Sequence, residues 1–294
     1  VSRIEKVLVA GAGAMGSQIA MVAALAGCDV TLYDLDPDAP GRALAHLGER
    51  MDAQVAKGRR AADEVADAFA RLTPVAEPTA EVDLVVEAVV ERLEVKRALF
   101  AELDALCPAS TILASNSSGF VPSAMASATN RPDRFLNLHF FNPALVMKAV
   151  EVVRGPQTSP RTVEAALEFV DRIGKIAIVL DKEIPGFVAN RLLNAVRDEA
   201  IRLYEGGYAD IEAIDTAART ALGYPMGPFE LMDLTGIDIG YYTKLARFAE
   251  TGDPADKPSA TVTALVEQGN LGRKTGRGFY VYDEAGNRVG KGIR

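Results

Sequence analysis

A chain of 294 residues exceeds the usual size of one domain, so two domains, or one with a large appendage, is the first expectation. With 49% hydrophobic and 24% charged residues and no low-complexity run, the composition is that of an ordinary globular protein. Its 40 acidic residues outnumber its 32 basic ones, and a charge of -8 without a basic stripe argues against nucleic acid or an anionic membrane as partner.

At the start, VSRIEKVLVAGAGAMG runs into a strand with no charged leader, apolar core or small-residue cleavage site, which predicts a cytoplasmic protein. KVLVAGAGAMGSQIAMVAALAG reads as strand, tight turn and helix. DVTLYDLD, at 29 to 36, is a second strand ending in acids. From 37 to 72 the chain is Ala-rich, and KGRR at 57 to 60 divides it into two helices. That is long for a plain crossover, so it predicts a helical hairpin inserted after the second strand. VDLVVEAV is a continuous apolar run, as in a strand buried on both faces.

The alternation continues with a helix over 91 to 106, strand TILASNSS at 111 to 118 and a short helix from Pro122. Then come strands RFLNLHF at 134 to 140 and MKAVEVVRG at 147 to 155, a helix over 160 to 173 and strand KIAIVLD at 175 to 181. This pattern predicts an α/β architecture with a mainly parallel, doubly wound, Rossmann-type sheet. After Pro185, GFVANRLLNAVRDEAIRLYEGG is a long amphipathic helix, and helical patterns continue to 268. No strand run appears until GRGFYVYD. We place the boundary near 184, giving a Rossmann domain at 1–184 and a smaller all-α C-terminal domain at 185–294. No apolar stretch reaches the roughly 18 to 20 residues of a membrane span. Cys28 and Cys107 are isolated and fit free thiols in a reducing compartment, and two histidines are too few for a His-rich metal centre, so no metal is expected.

Gly11, Gly13 and Gly16 form GxGxxG directly after a strand and at the mouth of a helix, with Ala14 and Met15 in the same loop. That context fits a tight turn, close backbone approach and a helix N-terminus facing a diphosphate. Asp34 ends the second strand, 18 positions after Gly16, where a carboxylate accepts a ribose 2′-hydroxyl and repels a 2′-phosphate. NAD is therefore favoured over NADP, with Asp36 as the competing position. Glu91 and Lys96, in EAVVERLEVK, read on their own as solvated charges at a helix start.

His139 stands at the C-terminal end of its strand, the edge where doubly wound folds bind ligands. Its neighbours Leu138, Phe140 and Phe141 are apolar, so a satisfied core histidine is the competing reading. Glu151 favours chemistry. If HFFNPALVM turns the chain back, the next strand brings this acid beside the ring, where it fixes the tautomer and stabilises an imidazolium. ASNSSG, at 114 to 119, presents Asn116, Ser117 and Ser118 toward the same edge, either to orient a substrate oxygen or to cap the next helix.

Together GAGAMGSQIA, LYD, VVEAVVERLEVKRALF, ILASNSS, RFLNLHFFNP, VEVV, PGFVANRLL, GYPMGPFELMD and GRKTGRGFYVYD resemble the 3-hydroxyacyl-CoA dehydrogenase family over almost the whole chain. The resemblance implies reversible, NAD-linked oxidation of (S)-3-hydroxyacyl-CoA to 3-ketoacyl-CoA, as in 3-hydroxybutyryl-CoA dehydrogenases and fatty acid metabolism. It implies that His139 is the general base, Glu151 its partner, and that Ser118 and Asn190 hydrogen-bond the substrate oxygens. It makes Glu91, Lys96 and Asn116 cofactor contacts, and it sets Lys57 and Arg59 against the CoA moiety. It also implies a homodimer formed by a helical second domain that closes over the acyl-CoA. SNSSGF departs from the family's SNTSSL at Gly119 and Phe120, and Met51 stands where a serine occurs in relatives.

Two other readings compete. One is a related NAD enzyme for a free hydroxy acid or sugar acid such as gulonate; HFFNP, GYPMGPFE and the cations of KGRR speak for the CoA branch instead. The other is a non-catalytic NAD-binding protein, which would have no reason to keep His139, Glu151, Ser118 and Asn190 together. Acyl chain length, direction, pathway and assembly beyond a dimer are left open.

Overall fold

The computed structural model describes residues 3–293, apart from the side chain of Glu250. Contacts divide the chain into two compact units, Val1–Val188 and Ala189–Arg294. The first contains β1 (Lys6–Ala10), α1 (Ala14–Leu25), β2 (Asp29–Tyr33), α2 (Ala39–Ala56), α3 (Ala62–Ala70), β3 (Leu72–Val75), β4 (Leu84–Glu87) and α4 (Leu93–Leu106). It continues with β5 (Ile112–Ser115), α5 (Pro122–Ala126), β6 (Phe135–Phe140), β7 (Ala149–Arg154), α6 (Pro160–Arg172) and β8 (Ile176–Leu180).

The strands form one sheet in the order β3-β2-β1-β4-β5-β6-β7-β8. All neighbours are parallel except β6 and β7, which run antiparallel. The chain steps outward from β1 to β3 and then returns to place β4 on the other side of β1. This reversal opens a crevice at the carboxyl ends of β1 and β4, the place where such sheets receive a nucleotide.

Alternation along the strands sorts the core onto the two faces. Val7, Val9, Leu84, Val86, Ile112, Ala114, Leu136 and Leu138 pack on one face with Ile19, Met21, Phe169 and Val170 of α1 and α6. Leu8, Val85, Leu113 and Phe135 pack on the other with Phe100, Leu103 and Met125 of α4 and α5. The expected helical run to residue 72 is shorter than predicted, because α3 ends at Ala70 and Leu72–Val75 joins the sheet beside β2. A four-residue edge strand containing Pro74 carries no usable periodicity.

The second unit contains α7 (Ala189–Glu205), α8 (Ile211–Ala221), α9 (Pro228–Thr235), α10 (Ile237–Thr251) and α11 (Ala260–Glu267), followed by an antiparallel pair, β9 (Tyr280–Tyr282) and β10 (Arg288–Lys291). Phe229, Met232, Ile237, Val262, Leu265, Phe279 and Tyr280 make its core. The buried Asp233 ties the hairpin to α9, accepting hydrogen bonds from the Phe279 and Tyr280 amides and the Tyr282 hydroxyl. β10 is exposed along its length and buries none of its side chains, so only its partner was legible as a strand.

Candidate active site

The turn after β1 has the geometry of a phosphate-binding loop. Gly11 has φ +109°, and a Cβ there would lie 2.5 Å from the Ala88 carbonyl oxygen; a Cβ on Gly16 would lie 1.8 Å from the Gly11 oxygen. Both positions exclude any side chain. Gly13 differs, since nothing lies within 4 Å of where its Cβ would be, and the missing side chain opens onto space above the helix. α1 has neither a capping side chain nor an acid in its first turn, which leaves its amides to an anion.

Asp34 braces this loop from β2. Its Oδ2 accepts the Ala12 amide at 2.7 Å and its Oδ1 the Asp36 amide at 3.1 Å. Asp36 is turned instead to Arg42, whose guanidinium holds that exposed carboxyl below the usual carboxylate range. Of the two acids, Asp34 therefore stands against the glycine loop. A cavity of about 420 Å³ lies beside it, lined by Gly13, Ala14 and Ser17 and by Arg42, His46 and Arg50 of α2. Loop, bare helix end and strand-end acid together fit NAD.

His139 and Glu151 are directly paired in the β6–β7 register, so both side chains rise from the same face of the sheet. Imidazole Nδ1 lies 2.7 Å from Glu151 Oε2, with the histidine 5% exposed and the glutamate fully buried. Glu151 Oε1 accepts the Val188 amide at 2.9 Å. The rings of Phe141 and Phe187 flank the imidazole, with centroids 4.7 and 5.4 Å away. Phe187 holds φ +49°, a strained value for an aromatic residue that follows Gly186 at φ +77°. That turn drives its ring into the core beside His139.

β5 ends in the polar segment predicted to face this edge. Ser117 is buried and donates its hydroxyl to Glu91 Oε1, which also accepts the Gly119 amide at 3.0 Å. Asn116 Oδ1 accepts the Phe140 amide at 2.9 Å, and Ser118 is exposed. Burial pushes the Glu91 carboxyl up, but Lys96, Ser117 and the Gly119 amide outweigh it and hold it below the usual range. Lys96 is not a solvated charge: it is 1% exposed, 2.6 Å from Glu87 Oε1 and 3.0 Å from Glu91 Oε2.

Other predicted positions lie elsewhere. Lys57 and Arg59 are exposed at the end of α2, whereas Met51 is 1% exposed and packs into the core. Asn190 is in the first turn of α7, in the second unit. Sequence reasoning passed over Glu87, Arg42 and Arg50. The arginines had a signal, since 42, 46 and 50 repeat every four residues along one helix face. Glu87 had one too: an acid inside a run buried on both faces must have a partner.

Comparison with known proteins follows the two units. The family model for "3-hydroxyacyl-CoA dehydrogenase, NAD binding domain" matches residues 6–184, and that for "3-hydroxyacyl-CoA dehydrogenase, C-terminal domain" matches 186–282. The chain is 39% identical over 283 residues to the probable 3-hydroxybutyryl-CoA dehydrogenase of Bacillus subtilis (strain 168), covering 96% of this chain and 98% of the relative. It is 41% identical over 288 residues to the mitochondrial hydroxyacyl-coenzyme A dehydrogenase of Homo sapiens, covering 95% and 91%. The crystal structure of 3-hydroxybutyryl-CoA dehydrogenase from Escherichia coli K12 is similar with a TM-score of 0.90 and 40% identity, covering 98% of this chain and 61% of that one.

Proposed function

The chain belongs to the 3-hydroxyacyl-CoA dehydrogenase family, and from that premise we propose how its residues divide the reaction among them. It is an NAD-dependent 3-hydroxyacyl-CoA dehydrogenase; the sugar-acid and non-catalytic readings are not favoured. NAD, held by the glycine loop and Asp34, would supply the hydride acceptor for the carbon that carries the substrate hydroxyl. His139 takes the hydroxyl proton. With Nδ1 committed to the Glu151 carboxylate, its Nε2 lone pair is left to receive it, and the buried anion stabilises the imidazolium that results. Phe141 and Phe187 keep water from the ring.

Ser118 and Asn190 hydrogen-bond the substrate oxygens. Gly11, Gly13, Ala14, Met15 and Gly16 receive the cofactor diphosphate, Asp34 its ribose, and Glu91, Lys96 and Asn116 bound the cofactor side of the site. Lys57 and Arg59 contact the CoA phosphates, a reading supported by the further cations Arg42 and Arg50 on α2, the helix these two residues follow. We assign cofactor binding to 1–184 and substrate closure and homodimer formation to 185–294. Among the described residues no helix is long and apolar enough to cross a membrane, and the two buried free cysteines fit a reducing compartment, for which we take the cytoplasm. On family membership we assign the reaction to fatty acid metabolism.

One observation carries the catalytic reading: a carboxylate with no solvent exposure 2.7 Å from the Nδ1 of a nearly buried histidine. His139→Gln is expected to lower kcat for acetoacetyl-CoA reduction by NADH by about 100-fold or more, the scale of a lost general base. Glu151→Gln should lose about tenfold to 100-fold, because the ring survives without its anchor. NADH affinity, read by fluorescence titration, should stay within about threefold of wild type in both. Unchanged turnover in His139→Gln would remove that residue from the reaction.

A further inference from the structure

Glu87 is the last residue of β4 and has no solvent exposure. A lone carboxylate is not tolerated at that depth. Glu87 has three donors: Oε1 accepts the Lys96 ammonium at 2.6 Å and the Val89 amide at 2.7 Å, and Oε2 accepts the Ser115 hydroxyl at 2.6 Å.

These bonds belong to a closed ring. Ser115 Oγ in turn accepts the Ser117 amide at 3.1 Å, the Ser117 hydroxyl donates to Glu91, and Glu91 Oε2 lies 3.0 Å from the same Lys96 ammonium. The ring joins β4, the loop after it, α4 and the end of β5. Side chains of an extended segment alternate. Drawing Ser115 into the ring therefore turns Asn116 to the other side, where it clamps the Phe140 amide, next in sequence to His139. Ser117, whose Oγ accepts the Gly119 and Phe120 amides, holds the bend on which Ser118 is exposed.

We propose that Glu87 is a positioning residue for the reaction, whose carboxylate holds Ser115 and Lys96 and thereby fixes Ser118 and the Asn116 clamp on the strand that carries His139. The inference rests on the reading of His139 and Ser118 as the reacting edge. A carboxylate suits this position because both oxygens accept and its charge faces the buried Lys96 ammonium. Gln at this position can keep its oxygen on Lys96 and Val89 only by turning its NH₂ to Ser115 Oγ, which reverses that link and removes one of the two anions facing Lys96.

The test is steady-state reduction of acetoacetyl-CoA by NADH, with active sites counted by NADH fluorescence titration so that unfolded protein does not enter the rate. In E87Q, kcat per NADH-binding site is expected to fall by about tenfold to 100-fold, the scale of a small misplacement of reacting groups. Glu87→Asp, which restores the charge, should recover at least about fivefold of that loss. A purely structural role would lower the number of sites and leave kcat per site unchanged. Wild-type kcat per site in E87Q or no recovery in Glu87→Asp would each overturn the proposal. Should E87Q yield no NADH-binding protein, Ser115→Ala, which breaks the ring at its β5 link, decides instead: a lowered kcat per site upholds the proposal, and wild-type kcat per site defeats it. His139→Gln, assayed alongside, separates the two readings. Wild-type turnover there removes the reacting edge, whereas wild-type turnover in E87Q removes only Glu87.

Discussion

Asp34 uses one carboxylate for two purposes, because the oxygens that accept the Ala12 and Asp36 amides also set a negative charge at the edge of the glycine loop. A charge there discriminates between cofactors by repelling a 2′-phosphate. Asp34→Ala is therefore expected to weaken NADH by about tenfold, the worth of one charged hydrogen bond, while NADPH binding holds or improves as the repulsion is lifted. Paired fluorescence titrations measure this, and equal losses for both cofactors would move the determinant elsewhere. At this scale the sequence was readable wherever a residue's partner sits at a fixed spacing. Gly16 follows Gly11 by five positions, and Glu151 comes opposite His139 once the chain folds back antiparallel. Glu87 was hidden because its partners, Ser115 and Lys96, meet it only after β4, β5 and α4 have packed.

At the scale of elements, the end of α4 shows how a buried charge can close a helix. Its final carbonyl groups lack intrahelical donors, and Arg131 supplies them at Asp104 and the capping Cys107, bonding the Pro108 oxygen just beyond as well, while its Nε lies 2.6 Å from Asp104 Oδ1. Burial pushes the Asp104 carboxyl up, but the Asn130 amides and Arg131 outweigh it and hold it below the usual range. A folded-state pKa below the unfolded one gives stability that is complete above about pH 4 and is lost as pH falls through the folded-state value. Arg131→Met should thus cost about 3 kcal/mol at pH 7, and the gap to wild type should narrow at pH 3. Urea unfolding at the two pH values measures it; an equal gap would exclude a charged contribution. The elements missed in the sequence are those held by neighbours alone. β3 exists because β2 offers an open edge to Leu72–Val75, and β10 because Tyr280–Tyr282 supplies a ladder for four exposed residues. The strands buried on both faces, β4 and β5, were legible because desolvation demands an unbroken apolar run.

For the whole molecule, the homodimer we propose makes a demand on the surface of the second unit. Single exposed apolar residues are ordinary, but a row of them along one helix is not. On α10, Ile239, Tyr242 and Leu245 repeat every three residues and are 60%, 59% and 42% exposed, and Leu234 at the end of α9 is 48% exposed. Covering such a row in a second copy would return on the order of 1.5 to 3 kcal/mol for each large side chain fully buried. A lysine in the row would have to be desolvated without a counterion. Sedimentation velocity of the wild type should accordingly give twice the chain mass, and Ile239→Lys combined with Leu245→Lys should give the single mass. Because that row carries none of the residues assigned to the cofactor, the monomeric variant should still bind NADH with wild-type affinity. A wild type that sediments at the chain mass would refute the dimer, and a double variant that still sediments at twice that mass would move its interface to another face of the molecule.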